Sequence, residues 1–183
     1  MRKELQLPLT EEIRTGLQAG DRLLLTGYLY TARDAAHKKM VDMISRGEEL
    51  PIALADETVY YAGPCPAKPG KATGSAGPTT SGRMDRYSPE LIARGLKVMI
   101  GKGDRSDAVV ESMKQAGAVY LGATGGAGAL IAQCIRSAEV VAFPELGTEA
   151  VRRLYVEKLP VVVLIDAKGS NLYKESRALY ASG

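Results

Sequence analysis

Apolar and amphipathic segments alternate regularly over the second half of the chain, and this alternation limits the possible fold more than any other feature. Short apolar runs of strand length are separated by segments with helical periodicity. The predicted strands are 97–101, 118–123 and 139–143, and the predicted helices are 89–95, 107–115 and 128–136. This order is typical of an α/β protein in which right-handed crossovers build a parallel sheet that is covered on both sides.

The first half and the carboxyl end continue the mixture of strands and helices. Thr10, Glu11 and Glu12 indicate a helix start, and Gly20 indicates its end. The other predicted elements are strands at 22–30 and 58–63, a helix at 33–45, and two strands at 153–159 and 161–166 that are split by Pro160. Because no repeat or linker interrupts the pattern, we expect residues 1–183 to form one domain with a layered sheet and flanking helices.

The composition is that of a globular protein without a nucleic-acid or membrane partner. The 183 residues are 45% hydrophobic, and 24 basic side chains are interleaved with 21 acidic ones, which gives a net charge of +3. A basic stripe for nucleic acid is therefore not predicted. The amino terminus lacks the apolar centre of a signal peptide, and the longest strongly apolar run is Val161 to Ile165. We expect a cytoplasmic protein.

Residues 64–87 form the longest segment without predicted structure, and long loops inside compact domains are usually functional or disordered. The stretch GPTTSGRMD within it contains two glycines, the hydroxyl side chains of residues 79–81, and Arg83. Backbone N–H groups next to glycine, hydroxyls and a guanidinium together are suited to binding a carboxylate. The alternative interpretation is a polar surface turn with a solvated arginine.

Two further cations stand in positions where anions often bind. Arg33 is predicted in the first turn of a helix, where the helix dipole disfavours a cation. One interpretation is that Arg33 and the free N–H groups of the helix start bind an anion together. The other is that the neighbouring carboxylate of Asp34 compensates the charge of Arg33. His37 lies four residues later on the same helix face. Lys102 stands between two glycines at the carboxyl end of a strand, where open α/β sheets bind ligands, although it is also compatible with an exposed turn.

Two other patterns in the sequence bear on whether the chain binds a dinucleotide or a metal ion. The stretch LGATGGAGAL follows a strand, and Glu145 lies about 20 residues later, as in dinucleotide sites, but the spacing G-x-G-x-x-G is absent. Cys65 and Cys134 are too few, with the single His37, for an ordinary zinc site. Without a secretory signal, both cysteines are expected to be reduced.

Several of these stretches together resemble a known family. YTARDAAHKK, YYAGPCPAKPGKATGSAGPTTSGRMDRYSPEL, IGKGD and LGATGGAGALIA, in this order, resemble the carboxy-terminal domain of class I iron-sulfur fumarases and the beta subunit of two-chain fumarases and L-tartrate dehydratases. The resemblance implies a swivelling β/β/α domain that closes over a [4Fe-4S] cluster. Two cysteines cannot supply the three ligands that such a cluster needs, so the cluster is expected on a partner alpha subunit.

The resemblance also implies roles for four residues. Arg33 and Arg83 would bind the two carboxylates of the substrate, Lys102 would add a positive charge, and Thr79 would remove the proton next to a carboxylate. The general acid is expected on the partner, and His37 is expected to orient neighbours or to belong to the core. These roles predict the beta subunit of a hydro-lyase that interconverts (S)-malate and fumarate, with L-tartrate dehydration to oxaloacetate as the alternative.

Two interpretations from other classes stay open at this point. One is a non-catalytic dinucleotide-binding or regulatory module built around Gly122 to Gly128, and the other is a purely structural assembly subunit. The expected assembly is a homodimer or an alpha-beta hetero-oligomer.

Overall fold

A computed structural model of the protein describes residues 2–123 and 128–181. Two 3-10 turns, Ser81–Met84 and Pro144–Glu149, accompany the regular elements. The strands are β1 (Arg2–Gln6), β2 (Arg22–Thr31), β3 (Thr58–Tyr60), β4 (Val98–Gly101), β5 (Val119–Gly122), β6 (Ile135–Ala142) and β7 (Val151–Ile165). The helices are α1 (Glu11–Gly16), α2 (Asp34–Ser45), α3 (Ser88–Ala93), α4 (Asp107–Ala116), α5 (Gly128–Cys134) and α6 (Leu172–Ala181).

The strand pairings close into a circuit. The order is β1-β2-β3-β4-β5-β7-β6, and β2 also pairs with β7. The pairs β1–β2, β2–β3, β3–β4 and β4–β5 are parallel, whereas β7 runs antiparallel to β2, β5 and β6. The ring β2-β3-β4-β5-β7 therefore returns to β2, with β1 and β6 attached to it.

Two apolar cores lie on the two faces of the central strands. Successive side chains of a strand point to opposite faces, so Val98 and Ile100 enter one core while Met99 enters the other. The first core combines β4 and β5 with β2 and β7 on the opposite side of the circuit, including Leu25 and Val163. The second core lies beneath α2, α3 and α4. The result is a mixed α/β fold with a sheet and flanking helices.

The prediction of a parallel sheet is wrong for the carboxyl-terminal third. The parallel pairs β2 to β5 follow the predicted alternation, but β6 and β7 are joined through the turn Pro144–Glu149 and pair antiparallel. The prediction of two strands split by Pro160 is also wrong, because β7 is continuous. The N–H of Val163 donates to Asp21 O, so the nitrogen of Pro160 points to the other edge of β7, where no ladder bond is lost.

Two elements lie outside the predicted pattern. β1 pairs in parallel with β2, and α6 follows β7. No helix among the described residues is long and apolar enough to cross a membrane.

Candidate functional site

The carboxyl ends of the parallel strands meet at one edge of the sheet, and the predicted site residues follow them. Thr31, Tyr60, Ile100 and Leu121 are joined across this edge through successive pairs of the register. Arg33 follows β2 by two residues, and Lys102 directly follows β4. The connections that follow β2 and β4 therefore carry cationic side chains at this edge.

The loop that contains Thr79 is tied to this edge by backbone hydrogen bonds. The N–H of Thr79 donates to Tyr61 O at 2.7 Å, immediately after β3. Thr80 forms a parallel bridge with Lys102, and the N–H of Ser81 donates to Lys102 O at 2.9 Å. The structure thus brings the backbone of Thr79 beside that of Lys102, although the two are 23 positions apart in the sequence.

Arg33 is the residue that precedes the first turn of α2. Its guanidinium packs on Gly63, where an added Cβ would lie 3.1 Å from Arg33 Nη1 and 3.0 Å from Thr148 O. Its Nε lies 3.6 Å from Glu149 Oε1, and both atoms are buried without a hydrogen bond. The Arg33 side chain is therefore held close to the Glu149 carboxylate without a hydrogen bond between these two atoms.

Arg83 lies at the same end of α2 as Arg33, because it forms an ion pair with Asp34 in the first turn of this helix. Arg83 Nη2 is 2.5 Å from Asp34 Oδ2, and the Arg83 side chain is 52% exposed. Asp34 stands in the first turn of α2, where a carboxylate is favoured by the helix dipole. The ion pair joins the Thr79 loop to the amino-terminal end of α2.

The other two predicted residues, Thr79 and Lys102, differ in exposure. Thr79 is half-buried and Lys102 is exposed. No side chain among the described residues hydrogen-bonds the Thr79 hydroxyl, and the ring Nδ1 of His37 is engaged with Arg33 O at 2.8 Å. Within the described part of the chain, Thr79 therefore has no neighbouring side chain that would take its proton.

A buried polar layer beneath the edge was missed by the sequence reasoning. Arg105 has a side chain with 0% exposure, and its Nε donates to Asp85 Oδ1 at 2.7 Å. Its Nη2 donates to Ser88 Oγ at 2.7 Å, and the rings of Tyr61 and Tyr120 flank the guanidinium. The one available signal was the aspartate that ends GPTTSGRMD, an acidic residue in a loop otherwise suited to anions.

Comparison with known proteins decides the family. The family model described as the fumarase C-terminus matches residues 2–176. The chain belongs to the fumarase C-terminus family. It is 40% identical over 179 residues to an aerobic class I fumarate hydratase of Salmonella typhimurium, covering 96% of this chain and 31% of that protein. It is 43% identical over 156 residues to an anaerobic class I fumarate hydratase of Escherichia coli, covering 84% of this chain and 28% of that protein.

A third relative has a different length. A putative L(+)-tartrate dehydratase subunit beta of Methanocaldococcus jannaschii is 37% identical over 173 residues, which are 91% of this chain and 89% of that protein. The fumarase C-terminus chain thus spans about a third of the fumarate hydratases and nearly all of the tartrate dehydratase subunit. The predicted resemblance is confirmed.

His37 is part of the core of this chain. It is 0% exposed, and burial lowers its pKa to about 4. Its ring makes an edge contact with Tyr61 at 5.2 Å between centroids. Because Arg33 O only accepts, Nδ1 carries the proton in the neutral ring, which orients the backbone of Arg33.

The described residues of the fumarase C-terminus chain do not fit a [4Fe-4S] cluster. Such a cluster needs several cysteine thiolates close together, whereas Cys65 is exposed and Cys134 is a half-buried thiol on α5. Among residues 2–123 and 128–181, no group of three or more His, Cys, Asp or Glu side chains is arranged to hold a metal ion.

The glycine-rich stretch after β5 lies partly outside the described residues, since 124–127 are not described. At its described end, a Cβ on Gly128 would lie 2.9 Å from Gly77 N and 3.2 Å from Gly77 Cα. Glu145, the residue considered for a ribose, forms an ion pair with Lys39 at 2.6 Å. Close packing of α5 on the Thr79 loop explains the requirement for glycine at 128. Membership of the fumarase C-terminus family does not favour the dinucleotide interpretation.

Proposed function

We propose that this chain is the beta subunit, or the corresponding part, of a [4Fe-4S]-dependent hydro-lyase that interconverts (S)-malate and fumarate. The observation that carries the proposal is the meeting of Arg33, Arg83, Thr79 and Lys102 at one sheet edge in a chain of the fumarase C-terminus family. The relatives named fumarate hydratase and the relative named tartrate dehydratase subunit beta support the reaction class. The cluster belongs, in this proposal, to a partner alpha chain.

The proposed roles follow from the charge that the reaction develops. Malate dehydration breaks a C–H bond next to one carboxylate and a C–O bond at the neighbouring carbon, and the products are fumarate and water. Removal of the proton places negative charge on the adjacent carboxylate, so positioned cations and N–H donors stabilise the transition state. Arg33 and Arg83 would bind the two carboxylates as planar bidentate donors, and Lys102 would add a third positive charge.

Thr79 is the proposed base, and this role requires neighbouring groups that stabilise its deprotonated form. A neutral hydroxyl is a weak base at ordinary pH, so proton removal by Thr79 needs strong stabilisation of its alkoxide. Arg83, four residues further in the same loop, and the neighbouring N–H groups are the described groups available for this. The acid that protonates the departing oxygen is assigned to the partner.

The finer description of the fold belongs to the same proposal. A ring of strands around one core, and helices α2, α3 and α4 over the second core, support a β/β/α layering. We infer that residues 1–183 act as one domain that swivels towards the partner chain and closes the dicarboxylate between them. The complex is placed in the cytoplasm, as a homodimer or an alpha-beta hetero-oligomer.

L-tartrate dehydration to oxaloacetate is the second candidate. It is favoured by the agreement in length with the relative named tartrate dehydratase subunit beta, of which the chain covers 89%. Malate and tartrate differ by one hydroxyl, and the two arginines would bind both in the same way. Assaying both substrates with one preparation separates the two candidates.

The test of the proposal is replacement of Thr79 in the complex assembled anaerobically with the alpha chain. We expect Thr79→Ala to reduce turnover of the preferred substrate about 10²- to 10⁴-fold, the range for general acid-base catalysis. Thr79→Ser keeps the hydroxyl and is the matched control, which should retain far more activity. Undiminished turnover by Thr79→Ala would exclude Thr79 as the base.

A further inference from the structure

We propose that Arg105 is a positioning residue for the proposed reaction: it fixes the loop of Thr79 and Arg83 against the end of β4, where Lys102 lies. The inference rests on the proposed function, because it assigns a role in that site. Arg105 does not reach the surface of the edge, so it acts through the residues that it holds. Three observations carry the proposal.

The first observation is that the Arg105 guanidinium is completely buried and directed by several partners. Besides Asp85 and Ser88, its Nη2 lies 3.4 Å from Tyr61 Oη, and its Nη1 lies 3.6 Å from the sulfur of Met99. A buried arginine needs such a set of acceptors to offset its loss of hydration. The orientation of this side chain is therefore determined by residues from β4, α3 and both sides of the loop.

The second observation is that Asp85 joins the loop to the start of α4. Its Oδ1 accepts from Arg105 Nε at 2.7 Å, and its Oδ2 accepts from the N–H of Ser106 at 2.6 Å. Asp85 lies two residues after Arg83, directly after the turn Ser81–Met84. The carboxyl-terminal end of the loop of Thr79 and Arg83 is thus attached to the connection between Lys102 and α4.

The third observation is that the two rings beside the guanidinium hold the other end of the same loop. Tyr61 accepts the N–H of Thr79 through its carbonyl. Tyr120 Oη lies 2.7 Å from Ser81 Oγ and 2.8 Å from Gly103 O. Since Gly103 O only accepts, Tyr120 donates to it and Ser81 donates to Tyr120.

These contacts make Arg105 the common neighbour of both ends of the loop. The guanidinium carbon lies 5.3 Å from the Tyr61 ring centroid and 4.9 Å from the Tyr120 ring centroid, within the range of cation-π contact. A lysine has the charge but not the planar fork that reaches Asp85 and Ser88 together. Loss of the fork frees residues 79–85 to shift relative to Lys102, whereas the rest of the sheet keeps its pairing.

The first test uses the full chain without a partner, so it does not depend on the reaction. Hydrogen exchange is measured for the amides of Thr79 and Ser81, with the amide of Val163 in β7 as the internal reference. For Arg105→Met we expect the exchange of Thr79 and Ser81 to accelerate at least tenfold relative to Val163, and for Arg105→Lys less. Acceleration in parallel with Val163 would mean a general loss of stability and would overturn the proposal.

Arg14 provides the matched control. It is a second buried arginine, 3% exposed and 3.1 Å from Asp56, at the opposite end of β3. Arg14→Met should leave the ratio of loop exchange to Val163 exchange unchanged. If Arg105→Met does not fold, Arg105→Lys and Asp85→Asn give the same comparison.

The second test uses the assembled complex, with wild-type turnover and its loss in Thr79→Ala as the reference. We expect kcat per folded complex to fall about 10- to 100-fold in Arg105→Met, since a displacement of about 1 Å costs this much, and to be unchanged in Arg14→Met. An unchanged kcat in Arg105→Met would overturn the positioning role. Wild-type inactivity towards both substrates would instead contradict the proposed function, and the exchange experiment distinguishes the two failures.

Discussion

At the scale of single residues, His37 shows how burial near the site determines protonation. Its Nδ1 is bonded to Arg33 O, whereas its Nε2 is buried and has no partner among the described residues. Desolvation, opposed by the bond to Arg33, lowers the pKa of His37 to about 4. The ring is therefore neutral near pH 7, and a second positive charge next to Arg33 is avoided.

The lowered pKa of His37 predicts a specific loss of stability in mild acid. An unfolded histidine has a pKa near 6.5, so the unfolded chain binds the proton first as the pH falls below that value. Stability from the neutral ring is complete above about pH 6.5 and is lost towards pH 4. From pH 7 to pH 5 this contribution falls by about 2 kcal/mol. Urea unfolding of the wild type and of His37→Asn at pH 7 and pH 5 measures this contribution. The same pH dependence of the unfolding free energy in both proteins would contradict a lowered pKa of His37.

Among single residues, the sequence points to cations whose local position suits an anion, and their roles in binding stay predictions. Each of these cations stands beside a local feature that suits an anion. Arg33 is at a helix start, Arg83 is in a loop rich in glycine and hydroxyl groups, and Lys102 is at the end of a strand. Arg105 has no such local signal, because its partners Asp85, Ser88 and Tyr61 come from three separate elements. A role that depends on tertiary contacts cannot be predicted from residue spacing.

At the scale of elements, the contact between β4 and the turn Ser81–Met84 explains why the strand ends in glycine. A Cβ at Gly101 would lie 1.9 Å from Ser81 Oγ and 2.9 Å from Tyr61 Cδ2. Real Cβ atoms do not approach so closely, so the turn can lie on the strand only at a glycine. The same serine donates to Tyr120, which fixes the turn in place.

Gly101→Ala is therefore expected to destabilise the chain by about 1 to 3 kcal/mol, the range for overpacking. Ser81→Ala removes the closest atom, so the double variant should cost less than the sum of the two single variants. Gly16→Ala, at a position with no atom within 4 Å of the added Cβ, is the control and should be near neutral. Chemical unfolding of the four variants measures these effects, and additive costs would exclude the contact.

Local signals predicted the start of α1 better than its end: Thr10 accepts the N–H of Ile13 as expected, but α1 ends at Gly16 and not at the predicted Gly20. α4, predicted at 107–115, spans Asp107–Ala116; Ser106 accepts the N–H of Val109 at its start, and Gly117 in the left-handed conformation ends it. β7 was misjudged because the effect of Pro160 depends on which edge of the strand has a neighbour. That information is absent from the strand's own sequence.

At the scale of the whole molecule, the ring of strands brings the carboxyl ends of β2, β3 and β4 to one edge of the sheet. The edge brings four predicted residues together, but no group able to hold a metal occurs among the described residues. On the proposed function, a partner alpha chain or a further part of the protein supplies the cluster. We expect the isolated chain to show no turnover of malate, fumarate or tartrate.

Addition of the anaerobically loaded alpha chain should restore turnover in proportion to complex formation, as measured by coupled assay and size-exclusion chromatography. Appreciable turnover by this chain alone, in the presence of a chelator, would contradict a divided site. The Arg14→Met variant serves here too, since it should assemble and turn over like the wild type.

The ion pairs of Arg33 with Glu149 and of Arg83 with Asp34 have a consequence for selectivity. On the proposed function, an arriving dicarboxylate exchanges one acidic partner for another at each arginine, so the electrostatic balance of the edge changes little. Affinity then depends on the distance between the two anionic ends of the ligand more than on its total charge. A monocarboxylate would replace only one resident partner and would gain no benefit from the second arginine.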